Sequence, residues 1–283
     1  MIQHILFPVD FSLQSEASSL VVRHWAERFG ARVTMLHVFE GMGVLAIENL
    51  PVAAEINIVK HLAAKQLDGF LLRQFEGLKV ERVQVSGDAG AAIAEYAGTH
   101  LVDLIMMPTM GYTRFRQMLL GSVTASVLHD SEVPVWTSAH SPDGIETRVP
   151  QQIVCAVDCG AETAKVIGKA KELAEKFGAS LRVVHSRPRV VSEFESGIAQ
   201  GAHHFALRVA KEDYAAATAG LSNVPELEIL EDASLVEGVQ RVVKESGCEL
   251  LVIGRGRIQG FMGRLRSNAH DLIRMSGCAV VSV

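Results

Sequence analysis

Residues 24–37 read HWAERFGARVTMLH, and residues 172–185 read ELAEKFGASLRVVH. The two stretches are related by a constant offset of 148, at which six residues are identical. The identical residues are Ala26, Glu27, Phe29, Gly30, Ala31 and His37, which recur as Ala174, Glu175, Phe177, Gly178, Ala179 and His185. Self-similarity of this length indicates two diverged copies of one domain.

The repeat extends over the whole chain. Asp10 in FPVD recurs as Asp158 in CAVD, DLIMM at 103–107 resembles ELLVI at 249–253, and SEVPVW at 131–136 resembles SGCAVV at 276–281. Between the copies, residues 139–150 form a polar segment with Pro and Gly that suits a linker. We therefore predict a first domain over 1–140 and a second over 150–283.

Apolar runs alternate with helical patterns within each copy. The first copy predicts strands at 3–9, 33–38, 80–86, 103–108 and 133–138, and helices at 14–29, 52–76, 89–99 and 122–130. The second predicts strands at 152–157, 180–186, 226–230, 249–254 and 278–283. Strands without polar alternation are typical of a buried parallel sheet. The predicted fold class is α/β, with two tandem doubly wound domains, each a five-stranded parallel sheet of order 3-2-1-4-5 with helices on both faces.

The composition narrows the range of functions. The net charge is −5, and acidic residues outnumber basic ones in both halves, which gives no electrostatic support for binding nucleic acid. No run approaches the ~18 apolar residues of a membrane span, and the N-terminus lacks the pattern of a signal peptide. We expect a soluble chain in the cytoplasm, with neither nucleic acid nor membrane as a partner.

The chemistry-bearing residues give weak support for an enzyme. There is no nucleophile elbow, Walker A loop or H-E-x-x-H pair, and the adjacent His203 and His204 would point about 100° apart on a helix. His37 and His185 indicate a shared packing or hydrogen-bonding role. The four cysteines, all in the second half and without C-x-x-C spacing, are interpreted as reduced thiols packed as small hydrophobic groups, with zinc the less favoured alternative.

A ligand in such a sheet binds beyond the carboxyl ends of the strands, where the strand order reverses. Strand 1 ends at Asp10, and strand 4 is followed by a glycine-containing loop that leads into a helix near Ser122. Glycines and a helix N-terminus suit a phosphate, and Asp10 suits a ribose hydroxyl or a magnesium ion. Helix capping alone would also explain Asp10 and Gly121, so the spacing leaves both interpretations open.

The same residues resemble the universal stress protein family. The family has the signature G-x-x-G, nine residues, then G-S or G-T. The run of Gly111, nine residues and Gly121-Ser122 is similar to the second half of that signature. HILFPVDFS at 4–12 resembles its first strand, residues 36–38 its second and residues 85–87 its third. The resemblance covers almost the whole chain and implies a tandem, two-domain member.

The resemblance also implies a function. Many members bind ATP or AMP, and a magnesium ion is compatible with that. Position by position, the implied nucleotide site comprises Asp10 and Val38 at the adenosine, Met107 and Gly111 along the ribose and phosphates, and Gly121, Ser122, Val123 and Thr124 at the phosphates. The chain would then be a stress-response regulator whose ligand changes its contacts with an unidentified protein partner. The alternatives are an interaction protein with vestigial sites and a very slow ATPase.

Two departures from the signature make the first site the more intact one. Pro108 replaces the first glycine and removes one backbone donor. In the second copy, Arg266 replaces the phosphate-loop glycine, and Glu231 or its neighbour Asp232 replaces Gly87. We expect a degenerate second site.

Two hypotheses concern the arginines of the second copy. Arg266 is expected to pair with Asp158 or Glu231 and to plug the cleft, with a solvated side chain as the alternative. The cluster of Arg255, Arg257, Arg264 and Arg266 keeps open the binding of a different anion.

The last strand of each copy, 133–138 and 278–283, is apolar and would form a sheet edge. Because an exposed apolar edge favours aggregation, we predict that the two domains pair through these strands within one chain. A homodimer of whole chains is left open. A crystal structure with both strands open to solvent would contradict the pairing.

Overall fold

The computed structural model describes residues 1–41, 52–109, 120–138, 149–188, 197–255 and 264–283, with side chains except those of 52–55, 188, 197–200, 202–203 and 264–267. Within these residues the chain forms two compact units, 1–138 and 149–283. None of the helices described is long and apolar enough to cross a membrane.

The first unit is a five-stranded parallel sheet with connecting helices. Its elements are β1 (His4–Pro8), α1 (Leu13–Phe29), β2 (Arg32–Phe39), α2 (Val52–Gly69), β3 (Val80–Ser86), α3 (Ala89–Thr99), β4 (Leu104–Met107), α4 (Ser122–Asp130) and β5 (Val135–Thr137). The strands lie in the order β3-β2-β1-β4-β5, and every pairing is parallel. The predicted order 3-2-1-4-5 is confirmed.

The second unit repeats this topology. Its elements are β6 (Gln152–Ala156), α5 (Thr163–Phe177), β7 (Ser180–Pro188), α6 (Gly197–Thr218), β8 (Leu227–Asp232), α7 (Leu235–Glu245), β9 (Leu250–Ile253), α8 (Arg264–Met275) and β10 (Ala279–Ser282). All pairings in the order β8-β7-β6-β9-β10 are parallel. The α/β fold class predicted from the sequence is therefore confirmed in both copies.

The repeated sequence motif marks the end of the first helix in each unit. Gly30 ends α1 with φ 66°, and Gly178 ends α5 with φ 70°. Both glycines adopt the left-handed conformation that terminates a helix without a Cβ penalty. The following residues enter β2 and β7, so the motif places the second strand beside the first.

A carboxylate before the fourth strand anchors the first strand in both units. Asp103 Oδ2 accepts hydrogen bonds from the backbone N–H groups of Gln3 (2.7 Å) and His4 (3.0 Å). Glu249 Oε2 accepts from Gln151 (2.5 Å) and Gln152 (3.4 Å) in the same way. The strand pair beside which the sequence places the crevice is thus held at its opposite end.

Helix α2 and strand β5 are the elements that fall furthest short of their predicted lengths. Helix α2 ends at Gly69, not at residue 76, because Leu71 has φ 56° and the chain turns until β3. Strand β5 begins at Val135, two residues later than predicted, because Pro134 lacks an N–H and Ser131 Oγ accepts the N–H of Val133 (3.0 Å).

Helices α3 and α4 approach closely at Gly90. A Cβ at Gly90 would lie 2.3 Å from Ser126 Oγ and 2.4 Å from Ser126 Cβ. We expect Gly90→Ala to push the helices apart and lower the free energy of unfolding of the first unit by about 1–3 kcal/mol. Both tryptophans, Trp25 and Trp136, lie in this unit, so tryptophan fluorescence during urea denaturation measures it alone.

The matched control is Gly98→Ala in the same helix, where an added Cβ meets no atom of the described residues within 4 Å. This change should be neutral or stabilising by up to about 1 kcal/mol, because alanine has the higher helix propensity. Equal effects of the two substitutions would show that the contact with Ser126 does not limit helix packing.

Candidate functional site

The first unit has a cleft of about 290 Å³ at the carboxyl ends of β1, β2 and β4. It is lined by Pro8, Val9, Asp10, Ser15, Leu36, His37, Val38, Glu40, Ala89, Ile93, Met107, Pro108, Gly121, Ser122, Val123 and Thr124. Seven of the eight residues named from the sequence are among them; the eighth, Gly111, lies outside the described residues. The fold thus gathers distant segments at the reversal of strand order.

The N-terminus of α4 offers backbone donors to this cleft. Gly121 N–H is bonded to Thr109 O (2.9 Å), and the first helical hydrogen bond runs from Ala125 N–H to Gly121 O (2.8 Å). The N–H groups of Ser122, Val123 and Thr124 precede that bond and have no helical acceptor. Consecutive amide donors at the positive end of a helix dipole form an anion site.

The hydroxyls of this turn have different roles. Thr124 is 3% exposed, and its Oγ1 donates to Pro108 O (3.1 Å), so it fastens α4 to the end of β4. Ser122 is exposed in the cleft wall. A bound anion would therefore meet the Ser122 hydroxyl and the Thr124 amide, whereas the Thr124 hydroxyl serves the fold.

The two ends of the loop between β4 and α4 are held together. Besides the bond from Gly121 N–H to Thr109 O, Thr109 N–H donates to Ser138 Oγ (3.3 Å). This fixes the start of α4 relative to β4. Pro108 contributes no N–H at this point, so the amides of α4 are the backbone donors that the described part of this wall presents.

Asp10 organises the start of α1. Its Oδ1 accepts from Ser12 N–H (3.0 Å) and Ser15 Oγ (2.8 Å), and Ser12 Oγ caps the helix by accepting from Ser15 N–H (3.2 Å). Phe11 is held with φ 60°. Asp10 is nonetheless exposed in the cleft, so its other oxygen can accept from a ligand hydroxyl. The capping and ligand interpretations are compatible.

His37 and Glu40 are cleft residues that were absent from the predicted set. His37 Nδ1 lies 3.0 Å from Val9 O, as His185 Nδ1 lies 2.9 Å from Val157 O. Since a carbonyl only accepts, Nδ1 carries the proton and Nε2 of the neutral ring is an acceptor. The recurrence of the histidine signalled this hydrogen-bonding role.

Glu40 holds the N-terminus of α3, where its Oε1 accepts from Ala89 N–H (3.0 Å). Nothing in the local sequence indicates this contact, because it joins the end of β2 to a helix 49 residues later. Together with Asp10 it places two carboxylates near the ends of β1 and β2, while the amide donors lie at α4. The described cleft therefore favours a ligand with hydroxyl or amino donors at one end and an anion at the other.

The equivalent cleft of the second unit measures only about 50 Å³, room for one or two water molecules. Larger apolar side chains occupy it: Leu235 follows the α7 cap where Ala89 follows the α3 cap, and Val166 stands where the first unit has Ser18. This apolar filling was missed in the sequence, because it depends on which helix face meets the sheet.

Strand register decides which acidic residue replaces Gly87. His37 is paired with Gln84 and His185 with Ile229, so Gly87 corresponds to Asp232, the second of the two residues considered. Arg241 holds the Asp232 carboxylate with two hydrogen bonds of 3.1 and 2.9 Å.

Glu231 and Asp158, the two partners expected for Arg266, have contacts elsewhere. Glu231 Oε1 lies 3.7 Å from Arg187 Nε, and Asp158 Oδ1 accepts from Gly160 N–H (2.9 Å). The side chain of Arg266 lies outside the described side chains, as do Arg257 and Arg264, so the plug and the alternative anion site stay hypotheses.

The helix that follows the fourth strand also differs between the units. The bonds from Ser131 N–H to Val127 O and from Ser276 N–H to Leu272 O align the two helix ends, and this alignment places Arg266 opposite Gly121. Helix α8 begins at Arg264, two residues before that position. The amides of Asn268 and Ala269 therefore lie beyond the first four helical N–H groups and have helical acceptors, which weakens an anion site there.

Substitution of Asp10 separates its capping role from its charge. Asp10→Ala removes the acceptor for Ser12 and Ser15 and should lower the free energy of unfolding of the first unit by about 1 kcal/mol. Asp10→Asn retains an acceptor oxygen and should cost less. Urea denaturation followed by tryptophan fluorescence measures the free energy of unfolding of both variants. Equal losses would assign the effect to the charge of Asp10 rather than to its hydrogen bonds.

Comparison with known proteins shows which family the chain matches and which solved structure shares its fold. The model of the universal stress protein family matches residues 1–138 and 150–283. A crystal structure of a universal stress protein from Archaeoglobus fulgidus has the same fold, with a TM-score of 0.70, 22% identity and coverage of 99% of this chain and 95% of that one.

Two curated sequences are similar over shorter lengths. A universal stress protein of Methanocaldococcus jannaschii is 28% identical over 151 residues, 48% of this chain and 93% of that protein. One of Synechocystis sp. is 38% identical over 61 residues, 22% of this chain, and the match spans only about a fifth (21%) of that protein.

Proposed function

The chain belongs to the universal stress protein family, and from that premise we propose that its first unit binds one adenine nucleotide, ATP or AMP, as a regulatory ligand. The observation that carries the proposal is the N-terminus of α4, where the amides of Ser122, Val123 and Thr124 precede the first helical hydrogen bond and border a cleft of about 290 Å³. That volume is close to the lower end of ligand pockets, roughly 300–1,000 Å³.

The distribution of charge supports one orientation of the nucleotide. The phosphates would lie at the amides of α4, where the helix dipole and the Ser122 hydroxyl stabilise negative charge. The adenosine would lie towards Asp10 and Val38 at the ends of β1 and β2, where carboxylates accept hydrogen bonds from ribose hydroxyls. The reverse orientation would bring phosphates close to Asp10 and Glu40 and is disfavoured by repulsion.

A magnesium ion is compatible with this orientation. Among the described residues, no three His, Cys, Asp or Glu side chains come together as a metal site. Magnesium on a nucleotide is commonly held by phosphates, waters and one or two carboxylates. Asp10, whose Oδ1 is already an acceptor for Ser12 and Ser15, would be the carboxylate closest to this role.

A regulatory role follows from what the ligand would connect. The cleft is bordered by the ends of β1 and β2, the N-terminus of α3 and the N-terminus of α4. Occupation would stabilise these segments in one arrangement, and a protein partner that contacts them in the cytoplasm would bind the occupied form differently. The second unit, with about 50 Å³ at the same place, would serve as the unliganded half.

Gly121→Asp is the sharpest test of the site. It places a carboxylate beside the amides of α4, and repulsion of the phosphates should weaken binding of ATP at least tenfold. Isothermal calorimetry with ATP and AMP measures the affinity and should give one nucleotide per chain for the unaltered protein.

The matched control is Arg266→Asp, which makes the same side chain at the equivalent position of the second unit. It should leave affinity and stoichiometry unchanged. Unaltered ATP affinity in Gly121→Asp, or an equal loss in both variants, would reject the assignment. Mass spectrometry of small molecules released from the denatured protein identifies any nucleotide that co-purifies.

A further inference from the structure

Two buried thiols of the second unit lie side by side. Cys248 and Cys278 are 7% and 5% exposed, and their Sγ atoms are 3.9 Å apart. Cys248 precedes β9 and Cys278 precedes β10, which are parallel neighbours in the sheet. All four cysteines of the chain are described as free thiols, and these two are 30 residues apart in sequence.

The strand register gives this pair a geometry that a disulfide tolerates. Ala279 is paired with Leu250, so Cys278 is one residue before the pair and Cys248 two residues before it. Both cysteines lie just before their strands. If the strands were extended to them, a separation of about 4.8 Å and a rise of about 3.3 Å per residue would place such diagonal Cα atoms about 6 Å apart. Disulfides most commonly join Cα atoms about 5.5–6 Å apart.

The polar contacts of the two sulfurs are unequal. Ser276 Oγ lies 3.1 Å from Cys278 Sγ, while the Cys248 thiol donates to Leu250 O (3.2 Å). The contact between the thiols lowers the pKa of Cys278 and raises the pKa of Cys248. Cys278 is therefore the first of the two to react as a thiolate.

Packing alone does not require thiols at these positions. The first unit has the same turn before its last strand, where Ser131 Oγ accepts from Val133 N–H (3.0 Å) as Ser276 Oγ accepts from Cys278 N–H (3.4 Å). Valine stands at both equivalent positions, Val102 and Val133. The first unit thus fills this place with hydrocarbon side chains.

We propose that Cys248 and Cys278 are a modification site that a hydroperoxide converts reversibly into an intramolecular disulfide. With hydrogen peroxide, the Cys278 thiolate attacks one of the two peroxide oxygens, so that an S–O bond forms, the O–O bond breaks and the sulfur is oxidised to a sulfenic acid. The hydroxide that leaves takes up a proton and becomes water. The Cys248 thiol then attacks the Cys278 sulfur, forms the S–S bond and releases a second water. A dithiol such as dithiothreitol reverses the reaction by thiol exchange.

The other two cysteines are internal controls. Cys155 is fully buried, and burial raises the pKa of its thiol. Burial, with the nearby Asp158 carboxylate, raises the pKa of Cys159 to about 11. Both remain protonated at neutral pH and should react more slowly than the pair, although Cys159 is the more accessible thiol.

The test treats the purified, reduced, folded protein with hydrogen peroxide and maps its peptides without reduction. We expect the mass of the chain to fall by that of two hydrogen atoms and the map to contain a linked peptide with Cys248 and Cys278. Dithiothreitol should reverse both changes fully. Closing a 30-residue loop should raise the melting temperature of the second unit on the order of 10 °C. Calorimetry measures this shift, while tryptophan fluorescence, which reports the first unit alone, should not change.

The matched control replaces both cysteines with the residues that the first unit uses, Cys248→Val with Cys278→Val. This variant should show neither the linked peptide nor the shift. If it fails to fold, the peptide map of the unaltered protein still decides. Oxidation of Cys159 while Cys248 and Cys278 stay reduced, or a link that forms only in denaturant, would overturn the proposal.

Discussion

Hydrogen bonding of β1 to parallel neighbours on both sides determines where the first unit has its cleft. β2 lies on one side of β1 and β4 on the other. The connection that follows β1 leads to β2 and the one that follows β4 leads to β5, so the two run in opposite directions along the sheet. The connecting segments separate at the carboxyl end of β1 and leave a crevice. All five residues of β1 are buried, and the Asp103 carboxylate holds its other end, which fixes the crevice in one place.

Much of the cleft wall is built from groups that also hold the fold together. Asp10 organises the start of α1, Glu40 the start of α3, and Thr124 the junction of α4 with β4. These side chains are fixed before any ligand arrives, so binding would cost little conformational entropy. This double role complicates mutagenesis, because truncation of such a residue would alter stability as well as any affinity for a ligand.

The two units share one backbone fold but differ in the volume of their clefts. His37 and His185 make the same hydrogen bond, and Asp103 and Glu249 anchor equivalent strands. The clefts nonetheless measure about 290 and 50 Å³. Backbone hydrogen bonds and helix caps depend on a few atoms, whereas cavity volume depends on every side chain that points into it, so the cleft can close while the fold persists.

The sequence by itself determined the repeat, the α/β class, the strand order and the position of the crevice. The repeat and the α/β class follow from local patterns: apolar strands without alternation, the glycine that ends the first helix, and the order of elements along the chain. The strand order and the crevice follow from the doubly wound fold that these patterns predict. The weakest local predictions were element ends, where Leu71 and Pro134 shortened α2 and β5.

Only the tertiary structure decided which side chains line the clefts and which cysteines are neighbours. Glu40 reaches an amide 49 residues away, Asp232 and not Glu231 corresponds to Gly87 through strand register, and Leu235 fills space that Ala89 leaves open. Cys248 and Cys278 became neighbours only through the pairing of β9 with β10. The physical reason is that such contacts join residues far apart in sequence, whose distance depends on packing and register rather than on any local preference.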